Sequence, residues 1–370
     1  MRIVFLDSWL REAAEGSGTA VAIGGLAEAL RARGHQVERI GPIGTWPRQL
    51  LLRRLWFNLT LPRRFSAGSS ASAADLIIGF DIDGVRIAHR VGAAYACSIK
   101  GVLAEEARCE RGWPRLMLTG LSWLERLNAR RAPLVLSTSR YCLERIQAHY
   151  GVAASRLALV GEGIDPELWS CGEQDRLPAT ILCVARQYPR KRVLDLIEAF
   201  ALVRQRCPQA ELVVIGDGPE HGLIAERVRT LGLDGPVRLL GALRSDAEVR
   251  AWYRRATLFC LPSVQEGFGI VYLEAMAAGL PVVATTATAI PEVVPDGQAG
   301  LLVPPRDPAA IAAALVRLLQ DPALRQRLAA GGRAWVRQHS WERVADRFLA
   351  AVEPLLATGT RLPLDRSLRR

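Results

Sequence analysis

Residues 181–191 read ILCVARQYPRK, an apolar run followed at once by a polar loop that contains a proline. A short apolar run bounded in this way predicts a buried strand. Residues 194–206 then have the composition of a helix, and residues 211–219, ELVVIGDGP, give a second strand and a glycine turn. A strand, a helix and a strand in succession predict a parallel sheet with helices on its faces.

The same alternation continues over most of the chain and is interrupted by the polar stretch 170–177. Before this stretch, strands are predicted at residues 3–7, 37–40, 76–80, 95–99, 134–138 and 157–160. After it, strands are predicted at residues 181–185, 211–215, 237–240, 257–261 and 281–284. The sequence therefore predicts an α/β protein with two doubly wound, Rossmann-like domains, residues 1–170 and 171–345. A C-terminal helix and basic tail, residues 346–370, could return to the first domain.

A chain of 370 residues suits two domains of ordinary size, and half of its residues are apolar. Ligands of doubly wound sheets bind beyond the carboxyl ends of the strands. Two such sheets facing each other would place the site in a cleft between the domains. Functional motifs are therefore expected directly after strands.

The composition argues against several classes of protein. No run of 18 or more apolar residues occurs, so no transmembrane helix is predicted, and the N-terminal apolar run is too short for a signal peptide. The seven cysteines are scattered and form no CxxC pair, which argues against a disulfide framework or a zinc site. The predicted location is the cytoplasm, with peripheral attachment to the inner face of the cell membrane left open.

Arginine supplies nearly all of the positive charge behind the net charge of +11, since the only lysines are Lys100 and Lys191. Residues 31–64 hold eight arginines against one acid, and residues 361–370 hold four against one. A basic surface of this kind can meet anionic lipid, nucleic acid or an acidic substrate, or it can simply face solvent.

Within residues 45–64 the arginines are interspersed with Leu, Trp and Phe. This pattern is typical of a segment that lies in the interface of an anionic membrane. The alternative is an ordinary helix in which Leu51, Leu55 and Leu59 face the core and the arginines face water.

Two cations, Arg186 and Lys191, follow the strand at residues 181–185 and are separated by a turn at Pro189. A guanidinium fork and an ammonium point charge in one loop can converge on one diphosphate. The alternative for Lys191 is a solvated surface residue, but this chain uses arginine almost everywhere else.

Two glycine turns are weaker signals. Gly216 and Gly218 follow the strand at 211–215, where the backbone must approach something closely, and they predict one wall of a nucleotide pocket. Gly16 and Gly18 would let the first domain approach a diphosphate, although Val21 stands where a dinucleotide fingerprint needs its third glycine. The alternative for Gly16 and Gly18 is a simple loop.

Glu266 and Glu274 are eight residues apart, on either side of a glycine loop that opens a helix. The N-terminus of that helix offers free backbone N–H groups to a phosphate. The carboxylates would accept hydrogen bonds from hydroxyl groups of one ligand. The alternative is a helix cap and a surface charge, but the small apolar residues 275–279 favour a helix that is buried all round.

Together, these motifs resemble those of glycosyltransferase family 4, whose members have the GT-B fold of two facing Rossmann-like domains. The family's R-x4-K element corresponds to Arg186 and Lys191, and its E-x7-E motif to Glu266 and Glu274. Shorter matches are RGHQV at residues 33–37, a Gly-Ile-Asp turn at 163–165 with Glu162 where the family usually has Asn, and SWE at 340–342. The resemblance covers essentially the whole chain and is strongest over residues 160–345.

The resemblance implies a retaining enzyme that takes a sugar from a nucleotide-diphosphate sugar and needs no metal or other cofactor. Arg186 and Lys191 would stabilise the leaving diphosphate, while Glu266 would hold the sugar and Glu274 the ribose. Further donor contacts would come from Gly269, Ile270, Val271, Phe268, Gly216, Gly16 and Gly18. The acceptor would be a glycan, a lipid-linked molecule or a small molecule, and nucleic acid is not expected as a partner.

The sequence departs from the family at one place. Many members carry a histidine after a first-domain strand, whereas here Lys100 follows the strand at 95–99. We expect Lys100 to bind sugar or acceptor together with Glu105 or Glu106. The alternative is a Lys–Glu pair on a helix surface.

Asp81 and Asp83 form a D-x-D sequence, which holds a metal in a different glycosyltransferase fold. The pattern of the whole chain argues against that fold, so we expect these residues to cap a helix near Gly84 and we predict no metal site. Two other classes of function stay open. One is a phosphorylase-like enzyme of similar architecture; the other is a non-enzymatic basic protein that binds nucleic acid or membrane.

Overall fold

The computed structural model describes residues 1–9, 18–42, 50–64, 74–88, 93–170 and 176–357. The chain divides into two compact units, which are residues 1–163 together with 341–370, and residues 164–340. The sequence places the boundary near residue 170 and assigns residues 341–345 to the second domain.

The first unit contains a parallel six-stranded sheet with the order β2-β1-β3-β4-β5-β6. Its strands are β1 (Arg2–Leu6), β2 (Gln36–Ile40), β3 (Leu76–Phe80), β4 (Ala94–Ile99), β5 (Leu134–Ser137) and β6 (Leu157–Leu159). Its helices are α1 (Gly18–Ala32), α2 (Leu50–Arg64), α3 (Leu103–Cys109), α4 (Gly112–Arg131), α5 (Arg140–Tyr150) and, from the end of the chain, α14 (Trp341–Ala357).

Helices cover both faces of this sheet. Ile3 and Phe5 of β1 pack with α1 and α14 on one face, whereas Val4 and Leu6 pack with α2 on the other. The alternation follows from the period of two along a strand. Because both faces are covered, every residue of β3 and β4 is buried, as expected for a parallel sheet.

The second unit contains another parallel six-stranded sheet, with the order β12-β11-β10-β7-β8-β9. Its strands are β7 (Thr180–Val184), β8 (Glu211–Ile215), β9 (Val237–Gly241), β10 (Leu258–Cys260), β11 (Val282–Thr285) and β12 (Gly300–Val303). Its helices are α6 (Pro166–Trp169), α7 (Val193–Arg206), α8 (His221–Thr230), α9 (Asp246–Arg255), α10 (Ile270–Ala277), α11 (Ile290–Val293), α12 (Pro308–Gln320) and α13 (Pro322–Val336). The strand order reverses between β7 and β10, and doubly wound sheets bind ligands beyond the carboxyl ends of the strands at such a reversal.

Within the described residues, eleven of the twelve strands lie within one residue of their predicted positions. The exception, β12, was not predicted because its four residues lie at the sheet edge between glycine and proline, which resembles a loop.

The closing helix α14 packs in the first unit because its apolar stripe, Val344, Phe348, Val352 and Leu355, is buried against that unit's core. Arg347 supports this position, since its Nε donates a hydrogen bond of 2.7 Å to the carbonyl of Val160. Among the described residues, no helix is both long enough and apolar enough to span a bilayer.

Candidate functional site

A buried ion pair lies at the strand-order reversal of the second sheet. Lys191 ends a short 3₁₀ turn, Pro189–Lys191, in the loop after β7, and Glu266 lies in the loop after β10. The Nζ atom of Lys191 is 2.6 Å from Oε1 of Glu266, and both side chains are largely buried. The fold therefore brings together one residue from each of the two sequence motifs.

Neighbouring hydroxyl groups hold Glu266 in place. Ser263 Oγ donates a hydrogen bond of 2.8 Å to the same oxygen, Oε1, that Lys191 contacts. The backbone N–H of Glu266 donates to Thr288 Oγ1 at 3.0 Å. Ser263 and Thr288 were not singled out from the sequence, because single hydroxyl residues in loops carry no distinctive pattern.

Arg186, the other predicted cation, occupies a different environment. It is exposed at the beginning of the loop after β7, with its guanidinium carbon 5.8 Å from the centroid of the Tyr188 ring. Arg190 lies against the same ring at 5.1 Å. The loop thus presents Arg186 at its surface and Lys191 in its interior.

Glu274 lies on α10, where the neighbouring residues Leu273 and Ala275 are buried. Tyr253 donates a hydrogen bond of 2.9 Å from its hydroxyl to Oε2 of Glu274. Burial raises the pKa of Glu274 to about 7, because removal from water disfavours the charged carboxylate. Glu274 is therefore a half-buried carboxyl group that can be either protonated or ionised near neutral pH. The contribution of Tyr253, on the preceding helix, was not foreseen.

Gly269 precedes the first turn of α10 with a φ of +96°. A Cβ atom here would lie 2.6 Å from the ring of Tyr272, which is fixed by its own hydrogen bond of 3.0 Å to the carbonyl of Leu261. Glycine is required for both reasons. The first N–H groups of a helix have no partner within the helix, so those of Ile270 and Val271 suit an anion. Phe268, next to them, is buried at 5.9 Å from the ring of His339.

Gly216 and Gly218 allow two loops of the second unit to touch. A Cβ on Gly216 would lie 2.0 Å from the carbonyl oxygen of Ala185, and one on Gly218 would lie 2.8 Å from the backbone of Gln187. Buried Gln187 stabilises the contact between the two loops, because its Nε2 donates a hydrogen bond of 2.8 Å to the carbonyl of Gly216. The close approach that the glycines predict is thus met by the protein's own chain, and their contact with a nucleotide stays a prediction.

In the first unit, Lys100 forms a buried ion pair and does not lie on a helix surface. Its Nζ is 2.9 Å from Oε1 of Glu162, and both side chains are more than nine-tenths buried. Burial raises the pKa of Glu162, and the Lys100 ammonium opposes that effect. The alternative of a Lys–Glu pair on a helix surface is therefore wrong.

The two glutamates of α3 have other neighbours. Glu105 Oε1 lies 2.6 Å from Nε2 of His149, and Glu106 lies beside Gly101. The one signal for Glu162 was its place before the Gly-Ile-Asp turn, where the family usually has Asn. A role of Lys100 in binding sugar or acceptor stays a prediction.

Asp81 and Asp83 are occupied by hydrogen-bond donors. Asp83 accepts from the backbone N–H of Ser8 at 2.9 Å and from Nδ2 of Asn58 at 2.8 Å, and burial raises its pKa to about 6. Asp81 is 3.3 Å from Nη2 of Arg54. Residues 81–88 form turns, so the expected helix near Gly84 is wrong. Within the described part of the chain, no group of three or more His, Cys, Asp and Glu residues could hold a metal.

Gly16 and Gly18 of the first unit were predicted to approach a diphosphate. Gly18 is exposed and begins α1, whereas Gly16 lies outside the described residues. Of the basic segment 45–64, residues 45–49 also lie outside them.

The residues of helix α2 that face the core are not those of the predicted stripe. Leu55 and Leu59 are exposed, as are Leu52 and Trp56, and the core contacts come from Phe57 and Leu61. Arg54, expected to face water, is buried instead. The alternative of an ordinary core stripe with a wet arginine face is therefore wrong for the described residues of α2.

Comparisons with known proteins identify the family and the fold. The family model described as Glycosyltransferase Family 4 matches residues 16–168, and the model described as Glycosyl transferases group 1 matches residues 178–321. Among curated proteins, a phosphatidyl-myo-inositol mannosyltransferase of Mycobacterium leprae is 39% identical over 189 residues, which is 50% of each chain. The chain thus spans about half the length of this relative.

Two solved structures resemble the chain over nearly its whole length. The sucrose-phosphate synthase of Thermosynechococcus elongatus has a TM-score of 0.79 and 23% identity, with 96% of this chain and 99% of that chain covered. Alr3699/HepE of Anabaena, in complex with UDP and glucose, has a TM-score of 0.73 and 20% identity, with 96% and 100% covered. The predicted fold class, GT-B, is confirmed. By its two family models and its two parallel sheets, the chain belongs to glycosyltransferase family 4, the group 1 glycosyltransferases.

Proposed function

We propose that the protein is a retaining glycosyltransferase that moves a sugar from a nucleotide-diphosphate sugar to an acceptor hydroxyl. The observation that carries the proposal is the buried contact between Lys191 and Glu266. It places a cation and a carboxylate at the strand-order reversal of the second sheet in a family member, at the position where doubly wound sheets bind nucleotides.

In this proposal the loop after β7 stabilises the leaving group. Lys191 contacts the diphosphate while the bond between the diphosphate and the sugar breaks. Exposed Arg186 adds a second positive charge. Such stabilisation lowers the barrier because negative charge on the leaving oxygen grows in the transition state. The short contact with Glu266 holds the ammonium in place before the donor arrives.

The two glutamates then take separate parts of the donor. Glu266 accepts hydrogen bonds from hydroxyls of the sugar, while Glu274 accepts from the ribose. Backbone N–H groups of Ile270 and Val271 contact the phosphates. The acceptor oxygen attacks the face from which the diphosphate departs, and a diphosphate oxygen takes the acceptor proton. The reaction then retains the anomeric configuration and needs neither a metal nor a side-chain nucleophile.

Similar proteins support donor and acceptor classes rather than particular substrates. The Anabaena structure contains UDP and glucose, and the Mycobacterium leprae relative is named for mannosyl transfer to phosphatidyl-myo-inositol. We therefore propose a hexosyl donor and a glycan or lipid-linked acceptor in glycan biosynthesis. The rival of a non-enzymatic basic protein leaves the buried Lys191–Glu266 contact without a purpose.

A membrane-proximal acceptor would also give the basic segment 45–64 a purpose. Its described part, α2, exposes Leu52, Leu55, Trp56 and Leu59, and the range 50–64 contains no acidic residue. Trp and Leu beside arginine favour the interface of an anionic membrane. We propose that this segment attaches the enzyme to the inner face of the cell membrane.

Ligand-linked stability tests the donor site. Thermal unfolding is measured with UDP, GDP and ADP, and the matching nucleotide sugars are then assayed for hydrolysis and transfer. One nucleotide at a hundredfold excess over its Kd should raise the Tm by roughly 5–10 °C. Lys191→Ala should diminish the shift, whereas Arg229→Ala, on the surface of α8, should keep it. The absence of a shift with all three nucleotides would refute the donor site.

A further inference from the structure

Helix α4 of the first unit exposes large apolar side chains on one side. Trp113 is 69% exposed, Leu116 63% and Trp123 61%, and among the exposed large hydrophobic residues of the described chain only Leu223 equals the lowest of these values. Spacings of three and seven residues place these side chains on the same side of a helix. Apolar side chains of this size are usually buried, so a row of them at the surface marks a contact site.

Polar contacts fix the rotation of α4 about its axis. Asn128, on the buried side of the helix, accepts a hydrogen bond of 2.8 Å from the hydroxyl of Tyr95 and donates one of 2.8 Å to the carbonyl of Asp81. Glu125 Oε2 accepts from the backbone N–H of Leu103 at 3.0 Å. Turning the row of Trp113, Leu116 and Trp123 inward would break these buried hydrogen bonds, so the row is held outward.

The charges on α4 identify the partner. The only acidic residue in Gly112–Arg131 is Glu125, which is fully buried. Arg115, Arg126 and Arg130 are all exposed, so the charge that the helix presents to solvent is positive. An apolar row with two tryptophans beside exposed arginines is complementary to an anionic lipid surface, where indole rings settle at the headgroup level.

Helix α4 and helix α2 are held by the same turn of the chain. Asn58 of α2 donates to Oδ1 of Asp83 at 2.8 Å, and Asn128 of α4 donates to the carbonyl of Asp83 at 3.1 Å. Arg131, the last residue of α4, donates to the carbonyl of Val85 at 2.8 Å. Two helices with exposed tryptophan and leucine are therefore neighbours in one unit.

We propose that the row of Trp113, Leu116 and Trp123 inserts into the interface of an anionic membrane, with Arg115, Arg126 and Arg130 contacting the headgroups. This inference extends to a second helix the membrane attachment proposed for residues 45–64 and rests on it in part. It does not depend on the chemistry at Lys191. Two contacts with one surface bind more tightly than either alone, because the second engages at a high effective concentration.

The experiment measures co-sedimentation of the full chain with vesicles of phosphatidylcholine alone and of phosphatidylcholine with phosphatidylglycerol. The wild type should bind the anionic vesicles, and salt should weaken the binding. Combining Trp113→Ser, Leu116→Ser and Trp123→Ser should lower the affinity at least about tenfold. The matched control, Leu202→Ser with Leu223→Ser on the second unit, replaces two other exposed leucines and should bind as the wild type does.

Vesicle binding, oligomeric state and donor hydrolysis of the variants separate the alternatives. A triple variant with wild-type affinity would overturn the proposal, and a loss seen only with Trp56→Ser and Leu59→Ser would confine attachment to α2. A triple variant that binds vesicles normally but changes from dimer to monomer would assign the row to a second copy of the chain. Donor hydrolysis without lipid should be the same in all these variants, so its loss would concern the transfer proposal and leave the membrane proposal standing. Circular dichroism checks that each variant is folded.

Discussion

The two units have the same architecture but differ in what their surfaces carry. Residues 1–163 and 341–370 contain 28 Lys and Arg against 18 Asp and Glu, whereas residues 164–340 contain 20 against 19. Of the thirteen exposed large hydrophobic residues in the described chain, ten lie in the first unit and three in the second.

This contrast separates two kinds of task. The second unit holds Lys191, Glu266 and Glu274 buried or half-buried near the end of a sheet, as a site for one small ligand requires. The first unit spreads its positive charge and apolar residues over helices, as a surface that meets a large partner requires. We infer that the second unit binds the donor and that the first unit contacts the large partner or surface that carries the acceptor.

The largest effect is expected at the buried pair of the second unit. Lys191→Ala should lower kcat by roughly 10²-fold or more, because it removes a charge that stabilises the leaving diphosphate. Arg229→Ala, which removes an exposed cation of α8, should leave kcat unchanged. Steady-state transfer assays check this, and turnover of Lys191→Ala within a few-fold of wild type would remove Lys191 from the mechanism.

In the first unit a buried cation should matter for stability instead. Arg54→Ala should lower the free energy of unfolding by about 3 kcal/mol, because Asp81 then loses a buried, charged partner. Arg63→Ala, at an exposed position of the same helix, should change it by less than about 0.5 kcal/mol. Urea unfolding measures both, and equal stabilities would show that the Arg54 contact is not formed in solution.

The second unit could be anticipated from the sequence in more detail than the first. In the second unit, Lys191 and Glu266 belong to short motifs directly after strands, so their meeting follows from the order of a parallel sheet. In the first unit, Lys100 pairs with Glu162 across 62 residues, and no local pattern specifies that contact. Local periodicity also misassigned α2, because Arg54 is buried by its ion pair with Asp81 while Leu55 and Leu59 stay exposed.

The helices and strands themselves were easier to predict than the side-chain contacts. Continuous apolar runs specify strands wherever a sheet is covered on both faces, but β12 is a short edge strand. Gln187 and Tyr253 act through hydrogen bonds to residues distant in sequence, and hydrogen bonds of this kind follow only from the tertiary fold.

A smaller effect should distinguish two carboxyl groups whose pKa is raised by burial, Glu274 in the second unit and Asp83 in the first. The pKa of Glu274 is about 7, so its protonated form dominates at pH 6 and its ionised form at pH 8. If the ionised form accepts the ribose hydroxyls, nucleoside diphosphate binding should weaken up to about tenfold from pH 8 to pH 6. Glu274→Gln should bind more weakly at pH 8 and lose this pH dependence.

The stability of the nucleotide-free protein gives the matching control. A carboxyl whose pKa is raised on folding stabilises the fold below its unfolded pKa and loses that contribution as pH rises through its folded pKa. The free energy of unfolding should therefore fall as pH rises. The contribution of Asp83 is lost by about pH 6 and that of Glu274 by about pH 7. A nucleoside diphosphate should shift only the Glu274 transition, and an identical pH profile of binding in Glu274→Gln would remove Glu274 from the ribose site.

The smallest expected effect is that of removing metal ions. If Lys191 and Arg186 supply the positive charge at the diphosphate, dialysis against a chelator should leave kcat within about twofold of its original value, since no ion is needed at the leaving group. The D-x-D sequence, Asp81 to Asp83, lies in the first unit, whereas Lys191 and Arg186 lie in the second. Its carboxylates already accept hydrogen bonds from Ser8, Asn58 and Arg54. A metal there would have to displace these donors and would be detected as a Tm shift with manganese in the nucleotide-free protein. Activity that is abolished by the chelator and restored by manganese would return Asp81 and Asp83 to the list of ligands and would replace the two-cation mechanism.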